Sequence, residues 1–286
     1  MLAVEKIKEH YKSQSFESPS LYVVLGSGLA PAFDEIGSPA GWTEKQSLSF
    51  KDIPGLVGAA APGHKGMLRY FQHDKTKKVL AFQVGRLHGY EGHEPSLVVR
   101  PLTLAFETGC KTFILTNAAG GLNPKFKAGN VMVIEDQVNL TGKNPLYGPN
   151  PTDSYGKAFG PRFPDMTGAF DKKLNASLKK CLQAKKLKTV SGIYLGLLGP
   201  TFETPAEVKL YSKWGMGSVG MSTVWETIAL RHAGATVGGL SLIANPGAGL
   251  VKGHVLTHEE VEREAKKVSR RMVEALFDAA KENFKK

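Results

Sequence analysis

The chain has 286 residues, with 37 Lys+Arg against 26 Asp+Glu, a formal charge of +11 and a pI near 9.5. That length admits one large α/β domain or two small ones, either able to bury a core. Two cysteines, Cys110 and Cys181, in no C-x-x-C spacing exclude a disulfide scaffold and a zinc cluster, and both read as packed thiols of a reducing compartment.

In chain order, residues 1–15 mix Glu5, Lys6, Lys8 and Glu9 with Val4, Ile7 and Tyr11. This is an amphipathic helix and not the uninterrupted apolar run of a secretion signal. A short apolar strand, Leu21–Leu25, ends in Gly26-Ser27-Gly28, and a second, Val79–Val84, ends in Gly85. Pro95 to Glu107 has a helical pattern, followed by a strand Phe113–Thr116 that runs into Asn117-Ala118-Ala119-Gly120-Gly121. Tyr147 to Pro164, rich in Gly, Pro and Asn, is the longest expected loop, and loops of that length tend to be functional. Helices are predicted over Phe170 to Lys188, Pro205 to Trp214, Val224 to Ala233, and His258 to about Asn283. Between them lie strands Ile193–Leu198 before Gly199-Pro200, a strand end at Gly220-Met221-Ser222-Thr223, and Thr236–Ala244 before Asn245. The longest stretch without Asp, Glu, Lys or Arg, His232 to Val251, holds Asn245, Pro246 and five glycines, so it reads as a buried strand and loop and not as a membrane span. The alternation predicts one α/β domain, residues 1–286, around a largely buried sheet. Glycine, about 11% of the chain against a usual ~7%, clusters after the strands, where carboxyl ends meet ligands.

Six polar clusters at those strand ends carry the chemistry. Gly26-Ser27-Gly28-Leu29-Ala30-Pro31 lacks the third glycine of a dinucleotide fingerprint, and no G-x-x-x-x-G-K-[ST] occurs, so neither a nicotinamide nor a triphosphate cradle is expected. The Ser27 loop is either an anion site or a plain turn. Arg86 and His88 fall two residues apart on one side of a strand end, with Tyr90 close by; a guanidinium beside an imidazole suits an oxyanion such as phosphate. Thr116 to Pro124 offers small residues through which backbone amides can approach a ligand. In Gly199-Pro200-Thr201-Phe202-Glu203-Thr204, Thr204 is a helix cap with Pro205 at the first position. Glu203 is there either a partner of the helix dipole or an acceptor for a base stacked on Phe202. Gly220 to Thr223 and Ala244-Asn245-Pro246 complete the set.

The strings Gly26-Ser27-Gly28-Leu29, Gly63-His64-Lys65-Gly66, Gly85 to Gly92, Thr116 to Pro124, Gly199 to Thr204, and Val219 to Thr223 occur in register over residues 21 to 258. Together they resemble the trimeric family of purine nucleoside phosphorylases. The resemblance implies an α/β domain with a central mixed β-sheet flanked by helices, a homotrimer, a cytoplasmic enzyme of purine salvage, and no metal or organic cofactor, inorganic phosphate being the co-substrate. Its phosphate site falls on Ser27, His64, Arg86, His88, the Ala118 backbone N–H and Ser222. The ribose site falls on Tyr90, Met221 and His258, with Phe159 of the long loop supplied by a neighbouring subunit. The base site falls on Asn117, Phe202, Glu203 and Asn245, and the catalytic assignments are Asn245, Glu203 and His88. The implied reaction is phosphorolysis of guanosine, inosine and their deoxy forms. A xanthosine- or 5′-methylthioadenosine-preferring phosphorylase and, from another class, a basic nucleic-acid-binding protein are the alternatives. Trp225 stands where the family commonly has proline, and Pro246 to Thr257 is expected to act as a lid.

The excess charge is localised. Residues 171–190 carry a net +6 and residues 262–286 a net +3, on helices whose Lys and Arg surround apolar stripes, whereas residues 189–251 are neutral. The surplus is therefore expected on solvated faces, separate from a ligand site, with neither nucleic acid nor membrane as partner.

Overall fold

The computed structural model describes residues 1–26, 28–58, 66–250 and 258–284, without the side chains of 258–265 and 267. Its strands run β1 Leu21–Leu25, β2 Trp42–Glu44, β3 Leu48–Ser49, β4 Met67–His73, β5 Val79–Val84, β6 Thr112–Gly121, β7 Val131–Asn139, β8 Thr189–Gly196, β9 Met216–Gly220 and β10 Thr236–Pro246. The helices are α1 Ala3–Ser13, α2 Ala30–Ile36, α3 Pro95–Glu107, α4 Lys172–Ala184, α5 Pro205–Lys213, α6 Val224–His232 and α7 His258–Asn283. The predicted α/β alternation is therefore present, and β1, β5 and α3 coincide with their predicted limits.

The sheet is mixed. Parallel pairings β5–β1–β6–β10 form its centre, and β4 and β2 extend it antiparallel beyond β5. On the other side β7, β8 and β9 leave β10 and return to β6, where Gly120 faces Val219 and Gly121 faces Ser218. Five strands, β6, β10, β7, β8 and β9, thus close on themselves. Closure gathers the carboxyl ends of β6, β9 and β10 within reach of β5's end.

Strand periodicity divides the core. In β1, Tyr22 and Val24 pack on one face with α1, α3 and α6, while Leu21, Val23 and Leu25 pack on the other with α2, α4 and α7. β5 divides the same way, Val79 and Ala81 against Leu80, Phe82 and Val84. Strands covered on both faces are apolar almost throughout, which is why they read as hydrophobic runs; the exception, Gln83 of β5, is buried with its amide bonded to the Tyr22 hydroxyl and the Gly85 carbonyl. A third, smaller cluster seats Val208 and Tyr211 of α5 on Leu195 and Val219.

The helix surfaces carry the charge. Lys172, Lys173, Lys179 and Lys180 of α4 are exposed, while Leu174, Leu178 and Leu182 are buried. Across the α4–α7 contact, Lys185 pairs with Asp278 at 2.9 Å. Both cysteines are free and buried, and burial pushes the Cys110 thiol up to about 12. Among the described residues no helix is long and apolar enough to cross a membrane.

Candidate active site

A cleft of about 350 Å³ opens at the convergent strand ends. Arg86, His88, Tyr90, Asn117, Ala118, Phe202, Glu203, Met221, Ser222 and Asn245 all line it. Ala119, Gly120, Pro200, Val219 and Gly220, which belong to the sequence-marked strand ends without an individual role there, complete the wall. Ser27 and His64 lie outside the described residues, as does the His258 side chain at the start of α7 and the 251–257 portion of the expected lid. Phe159 does not line the cleft of its own chain; its ring meets Phe106 at 6.3 Å. The long loop is docked at this point by Gly160, where any Cβ would collide with the His232 carbonyl.

One end of the cleft is cross-braced. β5 ends at Val84, and Gly85, at φ +87°, turns the chain so that Arg86 and His88 face the cleft while Leu87 is buried. Arg86 is 1% exposed, a costly place for a guanidinium unless its donors are met. Nη1 donates to Ser222 Oγ at 2.7 Å, Nη2 donates to the Thr116 carbonyl, and Nε lies 3.5 Å from the Glu226 carboxylate on α6. Glu226 is also 1% exposed; its burial raises its pKa, against the lowering by Arg86. The His88 ring stacks on Tyr90 with centroids 4.6 Å apart, and Nδ1 lies 3.2 Å from Glu91, which also accepts the His88 backbone N–H. Burial pushes the Tyr90 hydroxyl up to about 12, so it stays a proton donor at neutral pH.

The Ser222-Thr223 corner is strained. Thr223 has φ +72° and ψ −47°, and the Val224 N–H donates across it to the Ser222 carbonyl at 2.8 Å. This is a γ-turn with a positive-φ centre, a rare geometry that a β-branched residue adopts only under constraint. Strain of this kind costs about 1–3 kcal/mol and concentrates at ligand sites. The constraint here is visible: Thr223 Oγ1 accepts from Asn117 Nδ2 at 2.8 Å, and the carbonyl accepts both donors of Thr227. α6 starts two residues past Ser222, so the partial positive end of the helix adds to the Arg86 field.

The opposite end is looser. A bulge in the β10–β6 pairing between Ile243 and Asn245 re-aims Asn245, whose Nδ2, among the described residues, donates only to the adjacent Pro246 carbonyl at 2.8 Å. Phe202 is 47% exposed. At the start of α5, Thr204 and Glu207 form the capping pair, with the Thr204 N–H donating to Glu207 Oε2 at 2.7 Å. Glu207 thus meets the helix terminus, and Glu203 lines the cleft. Burial raises the Glu203 pKa, assisted by the Glu207 charge and opposed by a hydrogen bond from its own backbone.

Asn117 lines the cleft, yet its amide is engaged by protein: Nδ2 with Thr223 and Oδ1 with the Ser241 hydroxyl at 2.6 Å. Sequence reasoning did not single out Glu226, Thr223 or Ser241 individually. A usable signal existed for Glu226, a carboxylate within the run Val224 to Leu230, which is buried throughout.

The cleft thus has a buried arginine at one end and an aromatic, a carboxylate and an amide at the other. Residues 32–278 match the Phosphorylase superfamily, and the chain belongs to it. Within that superfamily its relatives are purine nucleoside phosphorylases. The Bacillus subtilis purine nucleoside phosphorylase 1 is 39% identical over 265 residues, 93% of each chain. The Geobacillus stearothermophilus enzyme of the same name is 39% identical over 93% of this chain and 92% of its own, and the Rattus norvegicus enzyme 38% over 84% and 81%. The crystal structure of Schistosoma mansoni purine nucleoside phosphorylase in complex with adenosine superposes with a TM-score of 0.84 at 28% identity, covering 98% of both chains.

Proposed function

We propose that this enzyme catalyses reversible phosphorolysis of purine nucleosides, chiefly guanosine, inosine and their 2′-deoxy forms, to the free base and (deoxy)ribose 1-phosphate. The observation that carries the reading is the pairing, in one cleft, of the Arg86–Ser222 corner with Asn245 and Glu203 at the other end. Cleaving C1′–N9 develops positive charge on the sugar and negative charge on the leaving base, so stabilisation is needed at both ends. Arg86, His88, Ser222 and the Ala118 N–H hold phosphate beneath C1′, with Ser27 and His64 as further ligands. There the phosphate charge offsets the oxocarbenium, and positioning removes much of the encounter entropy. Phosphate attacks directly as the C1′–N9 bond breaks, with inversion, and no side-chain nucleophile is involved.

At the base, Asn245 Nδ2 leaves the Pro246 carbonyl and donates to N7 as electron density arrives, while Glu203 accepts from N1–H and Phe202 covers the ring. The same amide donates to O6, whereas a 6-amino group asks for an acceptor, so 6-oxopurines are favoured. Tyr90, Met221 and His258 hold the ribose, and Phe159 completes the sugar site of a neighbouring subunit, which makes the working unit a homotrimer. The reaction draws on no organic cofactor or metal, and the setting is cytoplasmic purine salvage. The test is base release from inosine, guanosine, adenosine and xanthosine, each with and without phosphate. Phosphate-dependent turnover confined to 6-oxopurine substrates is expected; comparable rates on adenosine would defeat the specificity, and faster turnover of xanthosine would transfer it.

A further inference from the structure

Behind the Arg86–Ser222 corner lies a row of polar groups bonded to one another. Ser218 on β9 and Ser241 on β10 are both fully buried, with hydroxyls 3.3 Å apart. The Ser241 hydroxyl donates to Asn117 Oδ1 at 2.6 Å, so its single hydrogen is spent and the contact with Ser218 runs from Ser218 to Ser241. Asn117 Nδ2 donates onward to Thr223 Oγ1 at 2.8 Å. Arg86 Nη1 also donates to Thr223 Oγ1 at 3.4 Å, so both acceptor positions of that hydroxyl are met and its own hydrogen is left for Ser222 Oγ, 3.2 Å away. Ser222 Oγ already accepts from Arg86 Nη1, so its two lone pairs are filled and its hydrogen is left to turn toward the cleft or the neighbouring Tyr194 hydroxyl.

We propose that Ser241, seconded by Ser218, is a positioning residue of the phosphate subsite, the head of a one-way donor chain Ser218→Ser241→Asn117→Thr223→Ser222. The chain presents a hydroxyl hydrogen, and never a lone pair, to the bound anion. The opposite polarity would turn the Ser222 hydrogen inward onto Thr223 and set an oxygen lone pair against phosphate. Because Asn117 is an amide between two hydroxyls, the orientation of its Oδ1 and Nδ2 decides which polarity holds, and the short bond from Ser241 decides the amide. Chains of hydrogen bonds running in one sense also polarise one another, which strengthens the last donor. Ser241 therefore acts at a distance, through three intervening side chains, on the affinity for phosphate and not on that for the nucleoside.

This inference rests on the phosphorolysis reading, and the experiment separates the two. The full-length wild type, Ser241→Ala and Ser241→Cys are compared by steady-state kinetics in phosphate and in inosine, and by calorimetric titration with inorganic phosphate alone. Loss of one donor to a charged ligand is expected to raise the phosphate KM and Kd about tenfold in Ser241→Ala. The weak thiol donor of Ser241→Cys, which preserves most of the volume, gives a smaller rise of about threefold, with the inosine KM within twofold of wild type in both. Unchanged phosphate KM and Kd in a folded variant would overturn the chain, as would equal shifts in both KM values. Should Ser241→Ala not fold, the Cys variant alone decides. Base release from wild type that ignores phosphate would instead overturn the phosphorolysis reading, while the titration still reports whether Ser241 governs the anion subsite.

Discussion

The two ends of the cleft are built differently. At the Arg86 end the side chains are buried or half-buried and already bonded to one another: Ser222 to Arg86, Arg86 to the Thr116 carbonyl and Glu226, Thr223 to Asn117. At the Phe202 end the aromatic is half exposed, the Asn245 amide donates to its neighbour's carbonyl, and Glu203 leans on its own backbone. Small, highly charged phosphate loses much hydration on binding, so the protein must offer a set of donors that needs no reorganisation. A planar base brings its own rigidity and apolar faces, and can order a looser surface around itself. Stability is consequently concentrated at one end, including a strained Thr223 held by its surroundings, and adaptability at the other.

Substitutions of the interlocked side chains at the braced end should therefore damage folding and catalysis together, whereas those of Asn245 and Phe202 at the open end should damage catalysis alone. The largest effect is expected for Arg86→Ala. Phosphorolysis of inosine should fall at least about 1,000-fold, and because Glu226 is left buried without its partner, unfolding should cost about 3–5 kcal/mol less, read by denaturant titration. A variant that lost activity but kept full stability would break the contrast. Next, Asn245→Ala should lower kcat about 100-fold, the worth of one oxyanion-type donor, with a near-native melting temperature. Phe202→Ala should raise the nucleoside KM about tenfold through lost stacking and leave the phosphate KM alone; a matching change in both would mean the ends are coupled.

How far all this was legible in the sequence follows the same division. Leu21–Leu25 and Val79–Val84 were readable to the residue because apolar runs buried on both faces stop abruptly at glycine. β4 and β7 were not, since Met67–His73 mixes Arg69, Gln72 and His73 into its pattern, and β7 carries Glu135 and Asp136 where its pairing with β8 slips register. Closure of β6 onto β9 joins residues nearly a hundred positions apart through two glycines, which no local periodicity announces. Of the site, residues in glycine-rich strand ends were found because the turns mark them. The supports Glu226, Ser218 and Ser241 were not, because each matters only through partners distant in sequence.

Two smaller effects sharpen the comparison. Because burial holds the Glu203 pKa above the usual carboxylate value, its protonated form persists to higher pH than in an exposed glutamate. In the proposed base site the carboxylate is the form that accepts from N1–H, so kcat/KM on guanosine should fall as pH drops through that raised pKa, and Glu203→Gln should abolish this acid limb while lowering the rate. An acid limb that persisted in Glu203→Gln would assign it to another group. Smallest of all, Thr204→Ala removes the α5 cap and should cost about 1 kcal/mol in thermal or denaturant unfolding, with kcat changed less than a few-fold.

The central claim is that phosphate, held at the braced end, is itself the nucleophile at C1′. Phosphorus NMR of purified enzyme with inosine and inorganic phosphate tests it most directly. Stoichiometric appearance of α-ribose 1-phosphate with hypoxanthine, and no base release when phosphate is omitted, is the predicted result. Release of hypoxanthine with free ribose, at a rate indifferent to phosphate, would contradict it.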